Sequence, residues 1–193
     1  MKSPPRSRSD SVDSSRIADR VIPDAADAGS AAVEALQRRI QDQFASLLGM
    51  TFKGASTERV VAEMVVEGRH CRSDDVMHGG AIMAFADTLG GAVSIMNLPA
   101  DIQWTTVESK TNFTGAAHRG TRIGGECVPV HRGRRTLVLQ TRVTAEDGRL
   151  LALVTQTHLV FGARASENEP MRHDTAASAT SRPDRTEAGG TAS

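Results

Sequence analysis

The sequence is poor in cysteine and carries no net charge, and each of these features excludes a class of protein. Its 193 residues include two cysteines, Cys71 and Cys127, and its 23 basic residues balance 23 acidic ones. Two cysteines are too few for a disulfide framework and fit no metal-ligand spacing, so we predict free thiols in a reducing compartment, the cytoplasm. A chain without net charge is not expected to bind nucleic acid by neutralising phosphates.

Core-forming residues are scarce at both ends of the chain, which confines the predicted fold to one central domain. Residues 1–30 mix serine, arginine, aspartate and proline without the apolar stretch of a signal peptide, and residues 163–193 have a similar composition. Both segments lack side chains that could build a core, so they are predicted to be disordered tails. The remaining residues 31–162 are enough for one domain with a single hydrophobic core.

The central domain has the pattern of an α+β fold. An amphipathic helix is predicted from Ser30, its N-cap, to Gly49, and short strands follow in MTFKGA and ERVVAEMVVEG. An apolar helix over Gly79–Leu98 precedes a predicted meander of four strands: Thr105–Thr114, Arg122–His131, Arg134–Ala145 and Arg149–Phe161. This central helix is the only element apolar enough to cover an antiparallel sheet, so the sheet is expected to wrap around it. Its glycines, aspartate and periodicity favour a buried helix over a membrane span.

One carboxylate interrupts the central helix. The apolar residues that would pack on the sheet fall on one side: Ile82, Phe85, Leu89, Val93 and Met96. Asp87 points the other way, among a set of mostly small residues: Gly80, Met83, Ala84, Gly90, Gly91 and Ser94. This bare face predicts the close approach of a second helix or of a substrate. Asp87 is therefore a candidate base or nucleophile. The alternative is a solvated surface residue, but no cation lies three or four positions away to stabilise a carboxylate on the helix surface.

The start of this helix, His78-Gly79-Gly80, offers unpaired backbone N–H groups and a positive dipole. A carbonyl oxygen that gains negative charge could be stabilised there as in an oxyanion hole. His78 is a candidate catalytic residue at this position, and its alternative role is that of a helix-capping or packing histidine. Gly80 and Asp87 are seven residues apart, roughly 10 Å along the axis, so one helix cannot present both groups to one carbonyl carbon. Two antiparallel copies could do so, which predicts a symmetric dimer with shared sites.

The motif HGG, six residues and Asp on a long helix, followed by TTVESKTNFTGAAHRG and further β-rich runs, resembles the hot-dog-fold acyl-CoA thioesterases. The resemblance is to the PaaI-like branch, the phenylacetyl-CoA and 4-hydroxybenzoyl-CoA type, and it covers residues 47–161. It implies a hot-dog fold, an acyl-CoA substrate and no cofactor. It also implies a homodimer that assembles to a homotetramer.

The resemblance further implies residue roles. By position, Asp87 is the nucleophile or general base. The amide of Gly79, between His78 and Gly80, polarises the thioester carbonyl. Thr106, early in the next strand, positions the carboxylate or the water.

One position departs from the family pattern. Relatives often carry Asn or Gln six residues before the histidine, where this chain has Arg72. Either the role of that Asn or Gln is moved or lost in this chain, or Arg72 has another role, such as contact with a CoA phosphate. A basic turn is the other candidate for phosphate binding, since guanidinium groups bind phosphates in bidentate fashion, and a solvated turn is the alternative. The residues of this predicted cluster are His131, Arg132, Arg134 and Arg135, with Arg119 and Arg122.

The sequence is compatible with three functions. The first is hydrolysis of an acyl-CoA thioester, the second is a hot-dog module that binds acyl-CoA without turning it over, and the third is a hydratase or dehydratase. The third ranks lowest because the HGG motif does not resemble the acid and histidine pattern of those enzymes. Trp104 and Phe113 either line an acyl pocket or pack in the core. The six histidines show no metal-ligand spacing, so no metal is expected.

Overall fold

A computed structural model describes residues 29–163 of the protein. The two predicted tails, residues 1–30 and 163–193, lie almost entirely outside this part of the chain. The helices are α1 (Ser30–Ile40) and α2 (Gly79–Asn97), and short 3-10 turns occupy Phe44–Leu48 and Gly68–His70. The strands are β1 (Thr51–Ala55), β2 (Val60–Val65), β3 (Ile102–Phe113), β4 (Arg122–Arg132), β5 (Thr136–Ala145) and β6 (Leu150–Ala163).

The six strands form one antiparallel sheet in the order β1-β2-β4-β5-β6-β3, and α2 packs on it. The α+β class and the hot-dog architecture are thus confirmed. The predicted meander is wrong in one respect, because β3 pairs with β6 and not with β4. The chain between β3 and β4 is bonded elsewhere: Met77 N–H donates to the Ala117 carbonyl (2.8 Å) and Val66 N–H to the Thr121 carbonyl (2.9 Å). These bonds bring β4 beside β2 and leave β3 at a free edge.

The apolar side of α2 forms the centre of the core, as its spacing predicts. The α2 side chains that are fully or nearly fully buried on this side are Ile82, Phe85, Leu89 and Val93. Gly125 of β4 permits the close contact, since a Cβ at that position would lie 2.6 Å from the Phe85 ring. By length and composition alone α2 could cross a membrane, but in this domain it is the core helix beneath the sheet.

The first helix is shorter than predicted. It ends at Ile40 and does not continue to residue 48. The chain leaves the helix at Gln41, which has an extended ψ of 148°, and Asp42 then adopts a left-handed backbone with φ 55°. The side-chain oxygen of Gln37, within the helix, accepts the N–H of Phe52 on β1 at 3.0 Å. This bond anchors α1 against β1, and the turn after Ile40 brings the chain into that strand. The predicted N-cap is also off by one position, because Gly29 is the cap and Ser30 the first helical residue.

Candidate active site

Asp87 lies in the middle of α2, and side chains from two strands hold its carboxylate. The Gln156 amide nitrogen donates to Oδ1 at 2.6 Å, and the Thr106 hydroxyl donates to the same oxygen at 3.1 Å. Asp87 is itself exposed, and no donor within residues 29–163 reaches Oδ2. The two hydrogen bonds therefore fix the carboxylate through one oxygen and leave the other free to face a substrate or a water.

Gln156 reaches Asp87 through a gap in α2. It is fully buried on β6, and the gap is Gly90, where a Cβ would lie 2.5 Å from Gln156 Oε1. A glycine inside a helix costs about 1 kcal/mol relative to alanine, and the space that the amide needs explains its presence here. Gln156 Oε1 has no hydrogen-bond partner in the described part of the chain. Its hydrogen bond to Asp87 is therefore what orients the amide.

His158 lies beneath Thr106 and extends the hydrogen-bonded network into the core. Its ring is fully buried and stacks on Trp104 at a centroid distance of 4.9 Å, with 4° between the planes. Nδ1 is 2.7 Å from the Ser94 hydroxyl of α2, and Nε2 is 3.2 Å from the Thr106 hydroxyl of β3. Burial lowers the pKa of His158, and the Asp87 charge opposes this only in part. The ring is therefore neutral at physiological pH.

The start of α2 presents one available N–H group. His78 caps the helix, since its Nδ1 accepts the N–H of Gly80 at 2.9 Å. This bond uses the Gly80 donor, whereas the N–H of Gly79 has no acceptor among residues 29–163. Phe113 lies over this position, because a Cβ on Gly79 would be 3.0 Å from its ring, and Phe113 is 52% exposed rather than packed in the core. Among the three residues of the motif, Gly79 alone retains a free donor for an oxyanion.

The bare face of α2 is divided between two environments. Gly90 and Ser94 are buried against side chains of β6, while Gly80, Met83 and Asp87 are exposed. The prediction that the whole face awaits a second helix or a substrate is therefore wrong for its carboxyl-terminal half. The small residues there admit polar side chains of the same chain.

The predicted basic cluster is separated into distant groups. Arg122 and Arg132 lie at opposite ends of β4, roughly 33 Å apart in an extended strand of this length. The Arg132 guanidinium is bonded within the chain, to the Asn97 side chain at the end of α2 (2.9 Å) and to the Thr57 carbonyl (2.8 Å). Two arginines of the β4–β5 turn are exposed and form no ion pair among the described residues: Arg134 and Arg135.

Two other arginines lie in the loops beside the start of α2. Arg72 forms a 2.7 Å ion pair with Asp74, and Arg119 lies 3.9 Å from Asp75. Arg119 is therefore remote from the β4–β5 turn. The prediction that Arg119 and the arginines of this turn form one cluster is wrong within a single chain. Across residues 29–163 no group of three potential metal ligands is present.

Comparison of the chain with known protein families agrees with this geometry. Residues 74–152, which include α2 with Asp87 and the strand that carries Thr106, match the thioesterase superfamily. The chain belongs to this superfamily. It is 27% identical over 118 residues to the 1,4-dihydroxy-2-naphthoyl-CoA hydrolase of Escherichia coli, covering 61% of this chain and 86% of that relative. A Deinococcus radiodurans protein named as an esterase is 30% identical, with 59% of this chain and 76% of the relative covered.

Solved structures of thioesterases have the same fold. The crystal structure of a mutant thioesterase from Pseudomonas aeruginosa is similar with a TM-score of 0.63 at 26% identity, covering 66% of this chain and 92% of that one. This superfamily member is therefore a hot-dog protein and a thioester hydrolase.

Two residues of the network, Gln156 and His158, are not among the residues predicted from the sequence. The alternation of β6 carries a signal for them, because Ala152 and Val154 point into the core and the two polar residues continue in the same phase. Polar side chains at inward positions of a strand need hydrogen-bond partners. A carboxylate on the helix that the sheet covers is one such partner.

The gap at Gly90 gives a direct test of the Gln156 contact. Gly90→Ala should place a Cβ against the Gln156 amide, push the amide away from Asp87 and loosen the carboxylate. We expect kcat for thioester hydrolysis to fall about tenfold, less than the roughly 100-fold that a full 1 Å misplacement can cost, with KM nearly unchanged in a thiol-release assay. As a control, the same change in a Gln156→Ala background should cause no further loss of kcat. An equal additional loss there would show that Gly90 acts by another route.

Proposed function

We propose that the protein is an acyl-CoA thioesterase of the PaaI-like type, with Asp87 as general base or nucleophile. The observation that carries this proposal is the carboxylate on α2, held through one oxygen with the other free. The relative from Escherichia coli, a hydrolase of a CoA thioester, supports a CoA substrate. Cys71 and Cys127 are free thiols, and a reducing compartment such as the cytoplasm suits them.

The chemistry follows from the free oxygen of Asp87. Oδ2 either takes a proton from water as that water attacks the thioester carbon, or attacks the carbon itself to form an anhydride that water then hydrolyses. In both cases a C–O bond replaces the C–S bond. In the first route protonated Asp87 returns its proton to the sulfur as CoA leaves, and in the second CoA leaves as a thiolate and takes up the proton released when water hydrolyses the anhydride. Cys127 is a poor alternative nucleophile, since burial raises the pKa of its thiol to about 12 and keeps it protonated.

The oxyanion donor for this reaction is the Gly79 N–H of a second copy of the chain. Since α2 is one unbroken helix from Gly79 onward, the donor and Asp87 of one chain are eight residues, or roughly 12 Å, apart. A carbonyl carbon about 3 Å from the attacking atom cannot contact both. Two α2 helices in antiparallel orientation would bring each Gly79 to the Asp87 of the other.

The edge strand β3 supports such a dimer. It has twelve residues and a free outer edge, where unpaired N–H and C=O groups can bond a second copy. Val107, at an irregularity in the β3–β6 pairing, is 56% exposed. Met83, four residues before Asp87, and Phe113, which lies over Gly79, are exposed as well. A second copy would cover these apolar groups. The active unit we propose is a homodimer, which the family resemblance extends to a homotetramer.

Asp87→Asn tests the proposed catalytic role with little disturbance of the network. Asparagine keeps the Oδ1 that accepts from Gln156 and Thr106, and changes only the free oxygen. We expect kcat to fall by about 10³-fold, the range for loss of a general base, while calorimetric titration with a non-hydrolysable CoA thioether shows unchanged affinity. A kcat close to wild type would remove Asp87 from the chemistry.

A wild-type protein that binds CoA thioesters but releases no thiol from a panel of acyl-CoA and aryl-CoA substrates would be a binding module.

The exposed arginines of the β4–β5 turn give a second test, on substrate recognition. We propose that Arg134 and Arg135 bind CoA phosphates, since both guanidinium groups lack an ion-pair partner among the described residues. Replacing both with alanine should raise KM for a CoA thioester about tenfold and leave kcat unchanged. The matching N-acetylcysteamine thioester, which lacks the nucleotide, should show no change in KM. Equal KM increases for both substrates, or no increase for either, would contradict phosphate binding at this turn.

A further inference from the structure

The buried ring of His158 contacts Thr106, the residue whose hydroxyl donates to Asp87. We propose that His158, as a neutral ring protonated on Nε2, is a positioning residue that makes the Thr106 hydroxyl donate to Asp87. This inference rests on the proposed function of Asp87. His158 lies outside the segment that matches the superfamily, residues 74–152.

The direction of each hydrogen bond follows from the buried end of the network. The Ser94 hydroxyl is fully buried, and its only hydrogen bond among the described residues is to Nδ1 of His158, at 2.7 Å. A buried hydroxyl that did not donate its proton would leave that proton unsatisfied. Ser94 therefore donates, and Nδ1 is the acceptor.

The remaining protons are then fixed in turn. A neutral imidazole with an accepting Nδ1 carries its proton on Nε2, and this N–H points to the Thr106 oxygen at 3.2 Å. Thr106 accepts that bond, so its own proton is left for Oδ1 of Asp87 at 3.1 Å. Every group has one role in this arrangement. The order of donation runs from Ser94 through His158 and Thr106 to the carboxylate.

The opposite tautomer would weaken the site. With the proton on Nδ1, Nε2 would become an acceptor and would compete with Asp87 for the single proton of Thr106. The stack of the ring on Trp104 and the bonds at both nitrogens hold His158 in one orientation. Since burial keeps the ring neutral, the tautomer is selected by Ser94.

The tautomer can be measured without any assay of activity. In long-range ¹H–¹⁵N spectra of the full-length protein with ¹⁵N-labelled histidine, the His158 signals are assigned by their loss in His158→Gln. We expect Nε2 to be protonated and Nδ1 unprotonated at pH 7. In Ser94→Ala the preference should weaken or reverse. A wild-type ring protonated on Nδ1, or on both nitrogens, would overturn the inference, even if Asp87 proves to be catalytic.

The positioning role is tested by matched amide substitutions. The amide of glutamine reaches about as far as Nε2 of the histidine and can still donate to Thr106, whereas that of asparagine reaches only about as far as Nδ1. We expect His158→Asn to lower kcat about 100-fold with KM retained, and His158→Gln to lose at most about a tenth as much. Both variants lose the Trp104 stack, so both are assayed below their measured Tm.

The decisive comparison places the two substitutions in a Thr106→Val background. If His158 acts through the hydroxyl of Thr106, replacing the histidine should have no further effect on kcat once that hydroxyl is gone. If replacing His158 lowers kcat equally with and without the Thr106 hydroxyl, or if the Gln and Asn variants lose equally, His158 has a structural role only. An unaffected kcat in all of these variants, together with a large loss in Asp87→Asn, would refute His158 positioning while keeping the proposed function.

Discussion

The site depends on the hydrogen bonds that hold one carboxylate on the core helix. An aspartate inside a helix competes for nearby backbone groups and is unfavourable there. At Asp87 two donors from the sheet, Gln156 and Thr106, engage one oxygen and direct the other outward. The helix supplies the charge and the sheet orients it, so neither element forms the site alone. Gly90 lowers the local stability of the helix, because glycine is a poor helix former, but its missing side chain leaves space for the Gln156 amide.

The strand order positions Thr106, the second donor to the Asp87 carboxylate. Because β3 pairs with β6, Thr106 stands directly opposite His158, and the hydroxyl lies between the ring and the carboxylate. If β3 paired with β4 instead, this contact would be lost. The same order leaves β3 at the edge of the sheet, where a second copy can be added beside the site. One feature of topology thus supports both the internal network and the proposed dimer.

The sequence was sufficient to predict the elements and the central helix, because periods of 3.6 and 2 residues are local properties. It predicted the wrong neighbour for β3, because strand pairing is set by contacts distant in sequence, such as the bond between Met77 and Ala117. Asp87, Gly79 and Thr106 could be proposed from one motif and its spacing. Gln156 and His158 could not be linked to Asp87, since 69 and 71 residues separate them from it and only the folded sheet brings them together.

The roles of the arginines show the same limit. The sequence places Arg132 among basic neighbours, yet its guanidinium connects the β4–β5 turn to the end of α2 through Asn97. Nearness in sequence does not distinguish a guanidinium that binds within the chain from one that is free for a phosphate. Only the neighbours in space do so, and they leave Arg134 and Arg135 as the exposed pair.

The most direct test of the account is to mix two inactive variants, Asp87→Asn and Gly79→Pro. Proline removes the Gly79 N–H at the first helical position, where it is tolerated, and His78 already has the extended backbone that precedes proline, with φ −67° and ψ 137°. Gly79→Ala, which adds a Cβ but keeps the N–H, controls for crowding of Phe113. After complete subunit exchange, half of the dimers are mixed and each holds one intact site, so about one quarter of wild-type activity should return. Mixing Asp87→Asn with a chain that carries both changes should restore nothing. If exchanged subunits of the first pair also stay inactive, the shared site is contradicted.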